Sequence, residues 1–264
     1  YLFDTDIFKQ INTEEKAYWL GFLYADGDVS SDGYTISLHL QESDYEHLVK
    51  FKNFLQCENI KIEHKTHKGN KSCRLRIYSI IMNHDLQKLG CVPKKSLILK
   101  FPTLEQVPKH LISHFLRGYF DGDGCICTSN KQAHFTIIGT PEFLNGYEYY
   151  ILKILNRQNP NKRKKSKADH NRTEFMVYAG NKQCKKIYYY LYKDATIYLD
   201  RKHQKFNSIL PSQNEADNNS EIINAELSGK TIKSKDTQPE PKANSDISQG
   251  QSIDSDTPTD DRRV

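Results

Sequence analysis

Nowhere in the 264 residues does an apolar run approach the ~18 consecutive residues of a membrane-spanning helix, so a transmembrane protein is excluded. The six cysteines (Cys57, Cys73, Cys91, Cys125, Cys127 and Cys184) form no CxxC pair and are few for the length. That argues against a zinc ribbon or a disulfide framework and suits a reducing, intracellular compartment. No charged-then-apolar leader follows Tyr1, so a secreted protein is not expected. Aromatic residues and cysteine are absent from Pro211 to Val264, where Ser, Asn, Gln, Asp and Pro dominate. Such a stretch buries too little apolar surface to offset its ordering entropy, and 211–264 is predicted to be a disordered tail. It holds 6 basic and 11 acidic residues, net −5, which leaves residues 1–210 with 32 basic against 22 acidic, net +10. The chain's overall +5 thus conceals a strongly basic body, which suits a polyanionic partner.

Within the body a segment repeats. Ala17-Tyr-Trp-Leu-Gly-Phe-Leu-Tyr-Ala-Asp-Gly-Asp28 matches Ser113-His-Phe-Leu-Arg-Gly-Tyr-Phe-Asp-Gly-Asp-Gly124, with Gly21 on Gly118 and Asp26 on Asp123. Pro93-Lys94-Lys95-Ser96 closes the first copy much as Asp200-Arg201-Lys202-His203 closes the second. Two related halves are expected, 1–97 and 108–207, joined by a linker at 98–107.

Each half reads as helix, two strands, helix, two strands, helix, an α+β class. In the first, Thr13 is a candidate N-cap for a helix to Ala25, and Ser31-Asp32-Gly33 supplies turn chemistry. Ile36, Leu38 and Leu40 share one face of the next strand, and Thr35, Ser37 and His39 the other. A helix follows Ser43, then a hairpin turning near Lys68-Gly69-Asn70 with Ile60, Ile62, Leu75 and Ile77 inward and Lys61, Lys65, Arg74, Arg76 and Tyr78 outward. A helix capped by Ser79 ends at Gly90. The second half repeats the order, with Phe135, Ile137, Phe175 and Val177 expected inward, Pro141 to Leu155 helical, and a final helix from Gln183 to Tyr192. The basic run Lys162 to Lys167 between its last strands is expected to be a phosphate-contacting loop.

The repeated helices carry small residues four apart, Gly21 and Ala25 in one, Gly118 and Gly122 in the other, so their backbones can approach closely. Packing alone does not call for Asp26 and Asp123 directly after those faces, where the helix dipole disfavours carboxylates. Helices packed along these faces bring the two acids together, and two close carboxylates repel unless cations sit between them. Hard oxygen ligands suit Mg²⁺, and metal ions so placed can serve an in-line phosphodiester displacement.

Trp19-Leu-Gly-Phe-Leu-Tyr-Ala-Asp-Gly27 and Leu116-Arg-Gly-Tyr-Phe-Asp-Gly-Asp-Gly124 resemble the paired signature of the LAGLIDADG homing endonucleases in their monomeric two-motif form. The resemblance covers roughly residues 7 to 207. It implies two pseudo-symmetric αββαββ halves whose four-stranded antiparallel sheets form a saddle on double-stranded DNA. It also implies a double-strand break with short 3′ overhangs in a long asymmetric site. By that resemblance Asp26 and Asp123 are the catalytic, metal-binding acids, the Ala25 and Gly122 carbonyls add ligands, and Mg²⁺ is the cofactor, with Mn²⁺ able to substitute. Gln41 matches a polar position near the attacking water, where the second half has Gly139-Thr140 instead. Lys182 resembles a basic residue held near the scissile phosphate, whereas Ile80 and Ile81 are its nearest first-half matches.

On such a saddle the outward Thr35, Ser37, His39 and Tyr78 would face DNA. Arg74 and Arg76 could grip guanine edges, and Lys61 and Lys65 phosphates or bases. Lys94, Lys95, Arg201 and Lys202, at corresponding places in the two halves, are expected to make symmetric backbone contacts. His64-Lys-Thr-His67 and Asn83-His84-Asp85 lack the companion ligands that a zinc or HNH site needs. The leading expectation is a metal-dependent site-specific endonuclease acting as a monomer, with no membrane and no obligate protein partner. The alternative is a non-cleaving binder on the same fold, an intron RNA maturase or a transcription regulator. Retention of both acids favours the nuclease. A self-splicing insert is not expected, because the chain neither starts on Cys or Ser nor ends on His-Asn.

Overall fold

The computed structural model describes residues 3–168 and 172–209; the expected tail at 211–264 lies outside them. Helix α1 (Glu14–Ala25) leads into β1 (Gly27–Val29) and β2 (Thr35–Gln41), then α2 (Tyr45–Phe54), β3 (Glu63–His67), β4 (Asn70–Tyr78) and α3 (Ile80–Lys88). The order recurs as α4 (Ile112–Asp123), β5 (Gly124–Ser129), β6 (Gln132–Gly139), α5 (Pro141–Leu155), β7 (Lys164–Lys165), β8 (Glu174–Ala179) and α6 (Asn181–Tyr192). A further helix, α7 (Asp200–Ile209), follows; the sequence reading did not foresee it. The two antiparallel sheets have matching orders, β1-β2-β4-β3 and β5-β6-β8-β7.

Local chemistry explains the boundaries. Thr13 accepts from the Lys16 N–H at 3.3 Å, and Ser79 from Met82 at 3.2 Å, each filling an orphan donor of a first turn. Asp32 accepts from the Tyr34 and Thr35 amides at 2.9 and 2.8 Å and from the Thr35 hydroxyl at 2.7 Å, which builds the β1–β2 turn. The β3–β4 turn places Lys68 and Gly69 at φ +49° and +82°, a two-residue hairpin connection with both residues left-handed.

The halves meet through α1 and α4. Every residue from Ala17 to Tyr24 is buried, so α1 is covered all round, as a central helix must be. A Cβ at Gly21 would collide with the Phe115 carbonyl oxygen, and one at Gly118 with that of Tyr18. Backbone touches backbone at both points, as the four-residue spacing requires.

The sheets' inner faces follow the expected phase in three of the four long strands. Strand β8 is the exception: Met176 and Tyr178 are inward, 1% and 0% exposed, and Phe175 and Val177 face outward. The cause is polar. Tyr178 donates to Glu148 at 2.8 Å beneath the sheet, and Glu148 is held by Arg163 at 2.5 Å, so the phenol is drawn inward where an all-apolar reading would put its neighbours. The same pair removes Arg163 from the expected phosphate loop, and Lys164-Lys165 become an edge strand against Phe175 and Glu174. Ile62 precedes β3, which is exposed along most of its length.

Candidate active site at the motif-helix ends

Asp26 caps the end of α1, its amide bonded to the Phe22 carbonyl at 2.9 Å, and Asp123 is the last residue of α4. The bare Cα of Gly122 lets Asp26 lie against it: a Cβ there would be 3.3 Å from Asp26 Oδ2 and would clash with the Ala25 methyl. Asp26 is exposed and Asp123 half-buried, so each acid keeps a solvent-open side while its carboxylate is crowded by protein at the base. Burial first, and the Asp123 carboxylate second, push Asp26 up to about 6, against the pull of Lys202, Lys95 and Arg201. Burial also raises Asp123, opposed by Lys95, Lys202 and the neighbouring Tyr119 phenol, whose own proton goes to the Ile138 carbonyl at 2.9 Å.

Lys95 and Lys202 are the largest departure from the sequence reading. Expected on the surface contacting DNA backbone, they are 8% and 6% exposed. The Lys95 ammonium donates to the Gly27 carbonyl, and that of Lys202 to Phe120, Gly122 and Gly124 at 2.7, 2.9 and 2.6 Å. Gly27 and Gly124 are equivalent positions, so each half bonds a lysine to the carbonyl just beyond its acid. The Gly122 carbonyl, an expected metal ligand, is thereby engaged by Lys202. Desolvation draws Lys202 down to about 8, with Asp121, Asp26 and Asp123 acting in the opposite direction.

A buried polar network holds α7 in place. Asp121, 1% exposed, accepts from Tyr18 at 2.8 Å, Tyr192 at 2.6 Å and the Leu199 amide at 2.7 Å. Arg117 donates to the Leu191 and Ile197 carbonyls at 2.8 and 2.9 Å and pairs with Glu14 at 2.7 Å. Arg201 is not a free surface cation: it makes a two-pronged pair with Asp44, the closest contact 2.7 Å, and ties α7 to the first half. Lys94 is exposed, as expected.

Strand register locates the remaining candidates. Gly27 pairs with Leu38, so exposed Gln41 sits at the Asp26 end of β2. Its counterpart Thr140 is buried, capping α5 and donating to the Leu99 carbonyl. Lys182 lies elsewhere. Its helix starts beside Ala133, whereas Asp123 enters β5 opposite Ile137, four residues or roughly 13 Å along β6. The geometry does not bring Lys182 to the acids. Ser37 is only 9% exposed and Thr35 is bonded to Asp32, while His39, Lys61, Lys65 and Tyr78 are exposed. Arg74 and Arg76 face outward as expected, and Glu63 steers them, 2.8 Å from Arg74 and 3.8 Å from Arg76.

The raised Asp26 has a consequence for stability. Its folded pKa of about 6 exceeds the ordinary 3.8, so the stability linked to that proton is fully present below 3.8 and lost as pH rises through about 6. In EDTA, Asp26→Asn is therefore expected to melt above the wild type at pH 8 and level with it below pH 4. Thermal melts at the two pH values check this; a variant less stable at pH 8 would assign Asp26 a structural role.

The donor set fits a hard divalent cation. The two carboxylates offer oxygen alone, while the Gly27, Gly122 and Gly124 carbonyls beside them already accept from the lysines, and no cluster of three or more His, Cys, Asp or Glu suited to a metal occurs among the described residues. Mg²⁺ is commonly held by one or two carboxylates, with water and phosphate oxygens completing its shell.

Residues 111–191 match the family model of a LAGLIDADG-like domain. The curated probable translation initiation factor IF-2 of Methanocaldococcus jannaschii is 24% identical over 142 residues, 52% of this chain. The match spans only 12% of that protein's length. Among solved structures, full-length DUF199/WhiA from Thermatoga maritima is 14% identical with a TM-score of 0.47, over 84% of this chain and 72% of that one. The meganuclease I-SmaMI bound to uncleaveable DNA is 13% identical with a TM-score of 0.49, over 81% and 97%. The I-LtrWI LAGLIDADG homing endonuclease bound to target DNA is 14% identical with a TM-score of 0.39, over 81% and 91%. The second half of this chain is thus similar to a LAGLIDADG-like domain over residues 111–191, and the first half repeats its order of helices and strands around a second four-stranded antiparallel sheet.

Proposed function

We propose that the chain is a divalent-metal-dependent DNA endonuclease that cuts both strands of a long, asymmetric duplex site, leaving short 3′ overhangs, as a monomer. One observation carries the reading. Two acids end paired helices where neither burial nor the helix dipole favours a carboxylate, and a lysine is fixed beside each. Asp26 and Asp123 would hold the cation, Mg²⁺ or Mn²⁺. When bound, it supplies an activated water and neutralises charge on the leaving oxygen.

The chain's own residues supply the rest. The Lys95 and Lys202 ammoniums, anchored by carbonyls, place fixed positive charge beside the position of a scissile phosphate, with no reorganisation needed as charge develops. Gln41 would orient the attacking water at the Asp26 end, while Lys61, Lys65 and Lys94 contact phosphates and His39, Arg74, Arg76 and Tyr78 face the bases. Replacing Arg76 by Ala is expected to relax preference at one base step, and a site-preference profile of the variant reads this directly.

Because Thr140 is buried where Gln41 is exposed, the two sites are unequal. A nicked intermediate should accumulate during cleavage, and Gln41→Ala should slow one strand more than the other. Strand-resolved time courses decide; equal rates in both strands would remove the asymmetry. The overall reading is tested with the full chain and a plasmid library bearing randomised inserts, in Mg²⁺ and in EDTA. Linear products with a recurring sequence, formed only with metal, are expected. Recurrent retention of one sequence without linearisation would instead establish the non-cleaving binder.

A further inference from the structure

The outward faces of the two sheets differ at matched positions. Pairing Gly27 with Leu38 and Gly124 with Ile137 makes Ser37 and His39 equivalent to Thr136 and Ile138. Pairing Leu38 with Leu75 and Ile137 with Met176 makes Arg74 and Arg76 equivalent to Phe175 and Val177. In each sheet the four positions form a square of directly opposed pairs: Ser37–Arg76 and His39–Arg74 in the first, Thr136–Val177 and Ile138–Phe175 in the second. Hydrogen-bond donors thus occupy all four corners of the first square, whereas three corners of the second carry alkyl or phenyl groups and only Thr136 keeps a hydroxyl beside its methyl.

The apolar square has no burial to account for it. Ile138, Phe175 and Val177 are half-exposed, and none is among the partly buried residues that pack on the core. Phe175 makes no ring contact among the described residues. The neighbouring edge strand offers exposed Lys164, directly opposite Phe175, and Lys165, so the patch is apolar at its centre and cationic at its rim.

We propose that the second sheet reads thymine 5-methyl groups in its half of the DNA target, while the first sheet reads guanine edges. The inference rests on the DNA-cleaving reading above. In the major groove a guanidinium suits the two acceptors of guanine, whereas the thymine methyl is recognised by apolar contact. The pseudo-symmetric position of the squares about Asp26 and Asp123 places both at comparable distances from the cut. The target is therefore asymmetric in chemistry as well as in sequence: guanine-rich at these steps on one side and thymine-rich on the other.

The test uses the full chain and duplexes recovered from a randomised library by binding in Ca²⁺. Deoxyuridine then replaces thymine in one half-site at a time, deleting only methyl groups. Replacement on the second-sheet side is expected to weaken binding about fourfold per contacted methyl, and replacement on the other side to leave it unchanged. Phe175→Ala with Val177→Ala should abolish the uracil sensitivity, and Phe175→Leu should keep most of it; melting curves verify that both variants fold. Uracil-substituted duplexes bound as tightly as the parent, or a methyl effect that survives the double alanine variant, would overturn the proposal. Recovery of no preferred duplex at all would instead defeat the underlying DNA reading.

Discussion

Replacing either Asp26 or Asp123 by Asn is expected to lower double-strand cleavage at least about a thousandfold, the factor that about 4 kcal/mol of lost transition-state stabilisation amounts to. Binding to the same duplex should persist within a fewfold, because both side chains lie at helix ends and neither belongs to the basic outer faces. The exchange preserves shape and deletes one charge. It also relieves the desolvation and, second to it, the Asp123 repulsion that together push Asp26 up to about 6, so the variants should not lose activity through unfolding. Gel-resolved cleavage and a binding titration of each variant separate the two effects, and normal cutting by either would sink the catalytic assignment.

The second large effect belongs to the interface that brings the acids together. Gly21→Ala and Gly118→Ala each drive a methyl into a carbonyl oxygen of the facing helix, a backbone atom that no rotamer change can move. Relief requires α1 and α4 to part along their whole contact. Each variant should therefore exceed the usual ~1–3 kcal/mol of overpacking and melt at least about 10 °C below the wild type, or fail to fold. Gly69→Asn is the control, since its left-handed turn position has nothing within 4 Å and Asn tolerates that conformation. A melting temperature for Gly118→Ala within a degree or two of the wild type would contradict the close approach of the helices.

The repeat, the small-residue spacing and the turn chemistry make most of the architecture legible in the sequence. Gly21 facing Gly118, the caps at Thr13 and Ser79, the hairpin at Lys68-Gly69 and the span Pro141–Leu155 all follow from local rules with one physical solution each. What escaped depended on contacts distant in sequence. Glu174–Ala179 is apolar at nearly every position, so alternation does not fix its phase; the Tyr178 bond to Glu148 does. Helix α7 is polar along its length, and it is held by Lys202, by Phe206 in the core and by the Arg201–Asp44 pair, none of which has a local signature.

The same reason hid part of the site. Lys95 and Lys202 were identifiable as equivalents from the repeat, yet a lysine read from sequence defaults to the surface. Only the carbonyls at the motif-helix ends show why these two are drawn inward. Tyr119 and the Asp121 network gave no motif signal beyond proximity to Asp123. Lys182 carried a family-like signal that the geometry does not support, because the α6 start lies at the far end of β6.

Asp26 and Asp123 are proposed to hold a divalent cation rather than to stabilise the fold. The direct measurement is a Mn²⁺ titration, followed by electron paramagnetic resonance, of the full chain on a phosphorothioate-blocked duplex recovered from the library. The wild-type complex should take up Mn²⁺ at sites that Asp26→Asn and Asp123→Asn each weaken and the double variant abolishes. Equal Mn²⁺ uptake by the wild type and the double variant would contradict the claim.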